Sequence, residues 1–306
     1  MRNLKLGAML VLGLLASAWS QNKLMESQSV ILHNDGISQA ELIGPDHPGF
    51  AVERSRLLLQ AGTHDLIEQH RTRSVLLHNK RSIPIVNYTV RWNIAGTPGM
   101  EPNFFKYSKI VGNWRALDVL LDPSVPENQQ RIWLAKYNSI VPANGVRLMS
   151  PFFDVSADSM IHKYGLMPSF AGHPEFERQF PTTSRIDVTL DSVLYSDGLC
   201  EGPDTLDSCA RFAADIEAAQ SLIRQVNQSQ QAGESTAAIL DRLIPGPVET
   251  PHFPGLNASH ADLLAYYTSL AKSEAAELRA TTGDNAALAR ILKPQVAGFV
   301  VHKAGQ

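Results

Sequence analysis

The sequence predicts an α+β chain, with an N-terminal antiparallel β-sandwich-like domain followed by a C-terminal helical segment. Three observations carry that expectation. Residues 85–94 place Val86, Tyr88, Val90, Trp92 and Ile94 on one face and Asn87, Thr89, Arg91 and Asn93 on the other, the period-2 pattern of a strand with one side in a core and one in water. Ile186, Val188 and Leu190 alternate with Asp187 and Thr189 in the same way. Beyond them the apolar residues recur in steps of three and four, at Cys209, Phe212, Ile216, Ala219, Ile223 and Val226, which is one continuous helix face.

The first residues, MRNLKLGAMLVLGLLASAWSQ, combine two positive charges, an apolar run and small residues, the pattern of a secretory signal peptide over residues 1–20. Cleavage fits after Ala18 or after Ser20. The apolar run is shorter than the roughly 20 residues a bilayer span requires, so no stable membrane span is expected after cleavage. With Arg2 and Lys5 removed, the formal net charge moves from −3 to −5, without blocks of like charge. That balance excludes the clustered Lys and Arg by which a protein displaces counterions from nucleic acid. The expectation is an exported, periplasmic or extracellular protein.

In chain order, residues 30–32 form a first strand and residues 44–49 a turn-rich connection. Residues 50–60 and 63–70 do not separate strand from helix by period. Residues 74–77 read as a strand and 79–82 as the turn after it. Pro84 stands where its missing N–H costs least, just before the long strand. Residues 95–103 carry two prolines and two glycines and read as a loop, with Phe104, Phe105 and Tyr107 to anchor it. Residues 114–121 fit helix or strand, and 146–155 are strand-like at both ends and broken by Pro151. Residues 157–181, with His162, His173 and three prolines, read as a flap or extended crossover.

The pivot is the stretch 185–209. Val193 and Tyr195 continue the apolar face of Ile186, Val188 and Leu190 only if Asp191-Ser192 inserts one extra residue, as a β-bulge does. Asp197-Gly198 ends the strand, and Asp204 or Thr205 can cap the helix that follows. That helix should end near Gly233. A second runs from Ser235 to Ile244, before Pro245. A third follows a cap at Asn257 or Ser259 and stops at Gly283, and a fourth, 285–292, follows Asp284. The domain reading is therefore 21–203 for the β-sandwich-like domain and 204–306 for the helical region. The proline-rich linker 245–254 reads as a boundary beyond which the chain could be removed.

DVTLDSVLYSDGLCEGPDT followed by an amphipathic helix, together with SIPIVNYTVRW, resembles a group of uncharacterised secreted bacterial proteins with a β-sandwich-like N-terminal half and a helical tail. The resemblance covers about half the chain and implies a fold without an activity. Cys200 and Cys209 depart from the group's pattern. They are the whole cysteine inventory of a chain read as exported, so a disulfide between them is the expected state.

No histidine pair has a metal spacing, and Asp158 and His162 fall short of the three or four ligands of a tetrahedral site. Asp187, Asp191, Asp197, Glu201, Asp204 and Asp207 form an acidic cluster that does not match the EF-hand pattern. Their expected roles are caps, turns and strand-surface charges. The nucleophile elbow, the zinc-protease helix, the P-loop and the dinucleotide fingerprint are all missing from the sequence. The reading is an extracytoplasmic binding or structural module without cofactor or resident metal, whose partner is an envelope protein or a polysaccharide. The alternative is an exported hydrolase or metal-dependent enzyme that joins the acidic cluster to His162 or His173.

Overall fold

The computed structural model describes residues 30–52, 74–95, 104–112, 141–149, 185–246, 251–292 and 299–304. The leader at 1–20 and the segments 114–121 and 157–181, with Asp158, His162 and His173, lie outside them. The chain is α+β, with its strands N-terminal and its long helices C-terminal.

One sheet is built on two long strands, β4 (Ile85–Ala95) and β7 (Ile186–Tyr195), paired antiparallel. The residues after the expected loop form β5 (Phe104–Gly112), antiparallel to the other edge of β4, where the sequence reading had only an anchored connection. Opposite β4, the free edge of β7 is shared. Its first half pairs in parallel with β1 (Val30–His33), and its last residues pair antiparallel with β8 (Leu199–Glu201). A second sheet has the order β2 (Ala40–Ile43), β3 (Val75–Asn79), β6 (Val146–Met149). The two sheets share one hydrophobic core, which includes Leu42, Val75, Leu77 and Leu148 from the smaller and Tyr88, Val90, Trp92, Ile186 and Val188 from the larger. That arrangement is consistent with the expected sandwich, although the larger sheet is mixed rather than purely antiparallel.

The expected bulge is there. Thr89 pairs with Ser192 and Val90 with Leu190, which leaves Asp191 as the extra residue. A second register shift, between Ile85 and Asn87, corrects the face assigned to Val86. Val86 turns away from Tyr88, Val90 and Trp92 and joins Leu194, Cys200, Cys209, Phe212, Ile216 and Phe299 on the opposite side. That side is therefore not simply the water face. Asn87 and Thr89 are buried there, and only Asn93 and Ala95 stand exposed along β4.

What covers them is helix α1 (Ser208–Gln231). Its first half presents Cys209, Phe212 and Ile216 to the sheet, and its second half carries Leu222 and Val226 into a separate helical core. That core is completed by α2 (Thr236–Leu243), α3 (His260–Thr282) and α4 (Asp284–Leu292) through Ile239, Leu240, Leu243, Ala275, Ala287, Leu288 and Ile291. Ser235 caps α2, and Ser259 forms a capping box with Asp262 at the start of α3.

The chain then returns to the sheet. Phe299 packs edge-on against Phe212, with ring centres 6.4 Å apart, and β9 (His302–Lys303) pairs in parallel with β8. Gly198 permits this return. Its φ is +91°, and a Cβ there would lie 2.0 Å from the carbonyl oxygen of Val300. The 203/204 division thus marks a change of secondary structure, while α1 and the last residues tie both parts together.

Candidate functional site

The acidic cluster of the pivot does not converge. Asp187 takes the Arg185 guanidinium at 3.0 Å and lies 3.6 Å from His33. Asp191, fully buried, takes Arg91 at 3.3 Å and the Thr205 hydroxyl at 2.7 Å. Asp197 accepts both guanidinium nitrogens of Arg81, at 2.7 and 3.3 Å. Burial raises its carboxyl, but Arg81 and the Leu199 N–H outweigh that and hold it below the usual range. Glu201 accepts from the Ser38 hydroxyl, the Gln39 N–H and the Tyr195 hydroxyl, joining β8 to the turn before β2. Burial first, and the Glu201 charge second, push the Tyr195 hydroxyl far up.

The cap of α1 is divided between two residues. Asp207 occupies the N-cap position with φ +55° and makes no side-chain cap bond; its carboxylate instead accepts the N–H of Asn257 at 2.9 Å. Asp204 reaches in from outside the helix and accepts the N–H of Cys209 at 3.1 Å. Its carboxyl lies above the usual range, chiefly through burial, with the N–H groups it accepts drawing it partway back. Of the two expected caps, Asp204 fills the role and Thr205 serves Asp191.

Cys200 and Cys209 are joined in a disulfide between β8 and the first turn of α1. Among the described residues, Cys200, Asp204 and Cys209 bring metal-ligating atoms within 4.8 Å of one another. The bond between the sulfurs removes the thiolates a metal would need. His162 and His173, the partners assigned to an enzymatic reading, lie outside the described residues. The sequence has glycan-type sequons at Asn87-Tyr88-Thr89, Asn227-Gln228-Ser229 and Asn257-Ala258-Ser259; Asn87 is buried and its amide donates to the Ser208 carbonyl at 3.3 Å.

A concave site lies elsewhere, between α1 and the returning C-terminal segment. Ala213, Ile216, Glu217, Gln220 and Arg224 project from one side of α1, at spacings of three, one, three and four, and face His260 at the start of α3 and residues 299–301. The groove is about 410 Å³, within the range of small-molecule sites. Its lining is mixed, with the apolar part from Ile216, Phe299, Val300 and Val301. Ile216 and Phe299 are buried, while Val300 is 69% exposed. Its rim is polar: Glu217 meets the His260 imidazole at 2.9 Å, and Gln220 donates to the Phe299 carbonyl at 3.3 Å.

The sequence reading missed all four rim residues. The helical spacing of Glu217, Gln220 and Arg224 is visible along α1, but it runs beside the stronger apolar stripe, and His260 comes from α3. Nothing local announces that residues 299–301 come back to form the opposite wall.

A second cavity, about 390 Å³, lies between the end of α2 and α3. There Arg279 is held by Asp241 at 2.8 Å and Asp284 at 2.7 Å, so its charges satisfy one another. Among the described residues no helix is long and apolar enough to cross a membrane. Comparison of the chain with protein families, curated proteins and solved structures returns no match.

Proposed function

We propose that the chain is an exported binding protein that holds a small organic ligand in the groove between α1 and residues 299–301. The observation that carries this reading is a concave, partly apolar cavity of about 410 Å³ whose rim gathers Glu217, Gln220, Arg224 and His260 from two helices. Binding is favoured over catalysis because none of the described residues that line the groove carries a hydroxyl or thiol nucleophile. Among the described residues its potential metal ligands, Glu217 and His260, number two, short of the three protein ligands of a catalytic zinc. The described pivot carboxylates are engaged by structural partners, and the hydrolase alternative, which needs His162 or His173 beside them, is the second reading. Export rests on the N-terminal leader pattern, and kinship with the secreted group rests on the pivot sequence.

The test is a thermal-shift screen of small organic acids, alcohols and amines against the full chain and an Ala213→Trp variant, in which the indole fills the groove. A concentration-dependent rise in Tm in the parent but not the variant supports the reading. A panel that shifts neither protein, or both equally, overturns it. Fractionation of cells expressing the tagged chain, with N-terminal sequencing of the product, tests export. An uncleaved protein in the cytosol would defeat that part.

A further inference from the structure

We infer that the groove selects an amphipathic monoanion, an apolar body with a single carboxylate, and that Arg224 is the residue that recognises the anionic head. This rests on the groove being the binding site. The rim's charged groups are not equivalent. Glu217 is engaged by His260 at 2.9 Å, whereas Arg224 makes no hydrogen bond or ion pair among the described residues.

Glu217 cannot neutralise Arg224 from within the helix. They are seven residues apart on α1, two turns and about 10 Å of rise, close to a Debye length at physiological ionic strength. The groove is thus polarised along α1, acidic where Glu217 meets His260 and cationic at Arg224. Ile216, Phe299, Val300 and Val301 supply the groove's apolar lining. Val300 is largely exposed beside a well-buried Phe299, an apolar side chain left for an occupant to cover.

A ligand that satisfies both features places its carboxylate on the planar, five-donor guanidinium and lays its apolar body over the apolar lining. A cationic ligand would face Arg224 unfavourably, and a fully polar one would leave Val300 uncovered. The contrast with the second cavity supports the assignment, since the arginine there already has two carboxylates.

The experiment compares 4-phenylbutyrate with 4-phenyl-1-butanol, which share the same apolar body and differ in the charged head. Each is titrated by calorimetry into the full chain at low salt. The acid is expected to bind about tenfold more tightly than the alcohol, the scale of a charge-assisted pair. Arg224→Gln should abolish the difference by weakening the acid far more than the alcohol, and Arg224→Lys should keep part of it. Equal affinities in the parent, or a preference that survives Arg224→Gln, would overturn the anion assignment while leaving the groove as the site. Binding of neither compound, or undiminished binding to Ala213→Trp, would overturn both.

Discussion

The carbonyl of Asp191 accepts the N–H of Asp204 at 2.9 Å. That single bond explains why the pivot is built around a bulge. As the extra residue of β7, Asp191 lies where the strand's edge passes from parallel pairing with β1 to antiparallel pairing with β8. A carbonyl released from regular pairing at that point is free to hold the loop that starts α1.

Gly202 passes directly against this bond. Its φ is +104°, and a Cβ there would lie 2.5 Å from the Asp191 oxygen. Gly202→Ala is therefore expected to cost about 2–4 kcal/mol, combining a strained backbone with a displaced hydrogen bond. Denaturant titration measures it, and a loss below about 1 kcal/mol, the ordinary scale of a backbone glycine effect, would mean the loop simply moves aside.

Much of this region was legible in the sequence. The bulge announced itself because Ile186, Val188 and Leu190 fall out of phase with Val193 and Tyr195, and the helix stripe showed as alternating steps of three and four. The second irregularity was hidden. Val86 is as apolar as Tyr88 and Val90, so its move to the helix side leaves no trace in a hydrophobic pattern. Strands β8 and β9 were equally silent, because two or three residues give no period to read. The groove depends on a return from the far end of the chain, information that no local window contains.

Arg91 is no ordinary surface charge. Trp92→Ala, in the core shared by the two sheets, should cost about 3–5 kcal/mol. The alternation alone would make Arg91→Ala nearly neutral. The structure gives it a fully buried Asp191 as partner, 3.3 Å away at the same Oδ1 that the Thr205 hydroxyl reaches, while Oδ2 has no hydrogen-bond partner among the described residues. Arg91 itself is 38% exposed, which tempers the pair. The expected cost is about 1–3 kcal/mol, and Asp191→Asn should recover part of it by removing the stranded charge. An Arg91→Ala variant as stable as the parent would show that Asp191 is satisfied without it.

The Cys200–Cys209 bond closes a short loop, with a separation of 9 residues. In the chain-entropy model it contributes about 2.5–3 kcal/mol, so the Cys200→Ser, Cys209→Ser double variant should lose that much. Thiol labelling of the unfolded, unreduced protein should find no free cysteine. Two labelled thiols would refute the bond.

Asp204 and Asp197 should respond to pH with opposite signs. The Asp204 carboxyl is raised in the fold, so its contribution is fullest below the unfolded value near 3.8 and is lost as pH rises through the raised folded value. Asp204→Asn keeps a capping oxygen without the charge. Its stability relative to the parent should therefore improve as pH rises across that window. Asp197 is lowered, so its contribution is present above 3.8 and is lost as pH falls through the folded value. Asp197→Asn should accordingly fall behind the parent at neutral pH. Stability curves for the two variants that run parallel to each other would contradict both assignments.

Truncation decides whether the proline-rich segment is a boundary, as its composition suggests. In the structure its C-terminal end is tied down. Phe253 stacks edge-on with Tyr266 at 5.2 Å and lies under the Arg211 guanidinium at 4.4 Å, while Asn257 bonds Asp207 beside the start of α1. Ending the chain at Ile244 would remove α3, α4, Phe299 and β9 together. It would uncover Leu222, Val226 and Ile239 in the helical core and strip Phe299 from Phe212 at the sheet. The expected product is a chain that melts broadly or aggregates through the exposed apolar face of α1. Removing only residues 299–306 should be milder, lowering Tm while leaving one cooperative transition, because the helical core stays whole. Ending at Gly198 should be most severe, since it deletes α1 itself. If the Ile244-terminated chain melts as cooperatively and as high as the full chain, then the second half of α1 does not depend on α3 and α4. The composition-based boundary would then be the correct one.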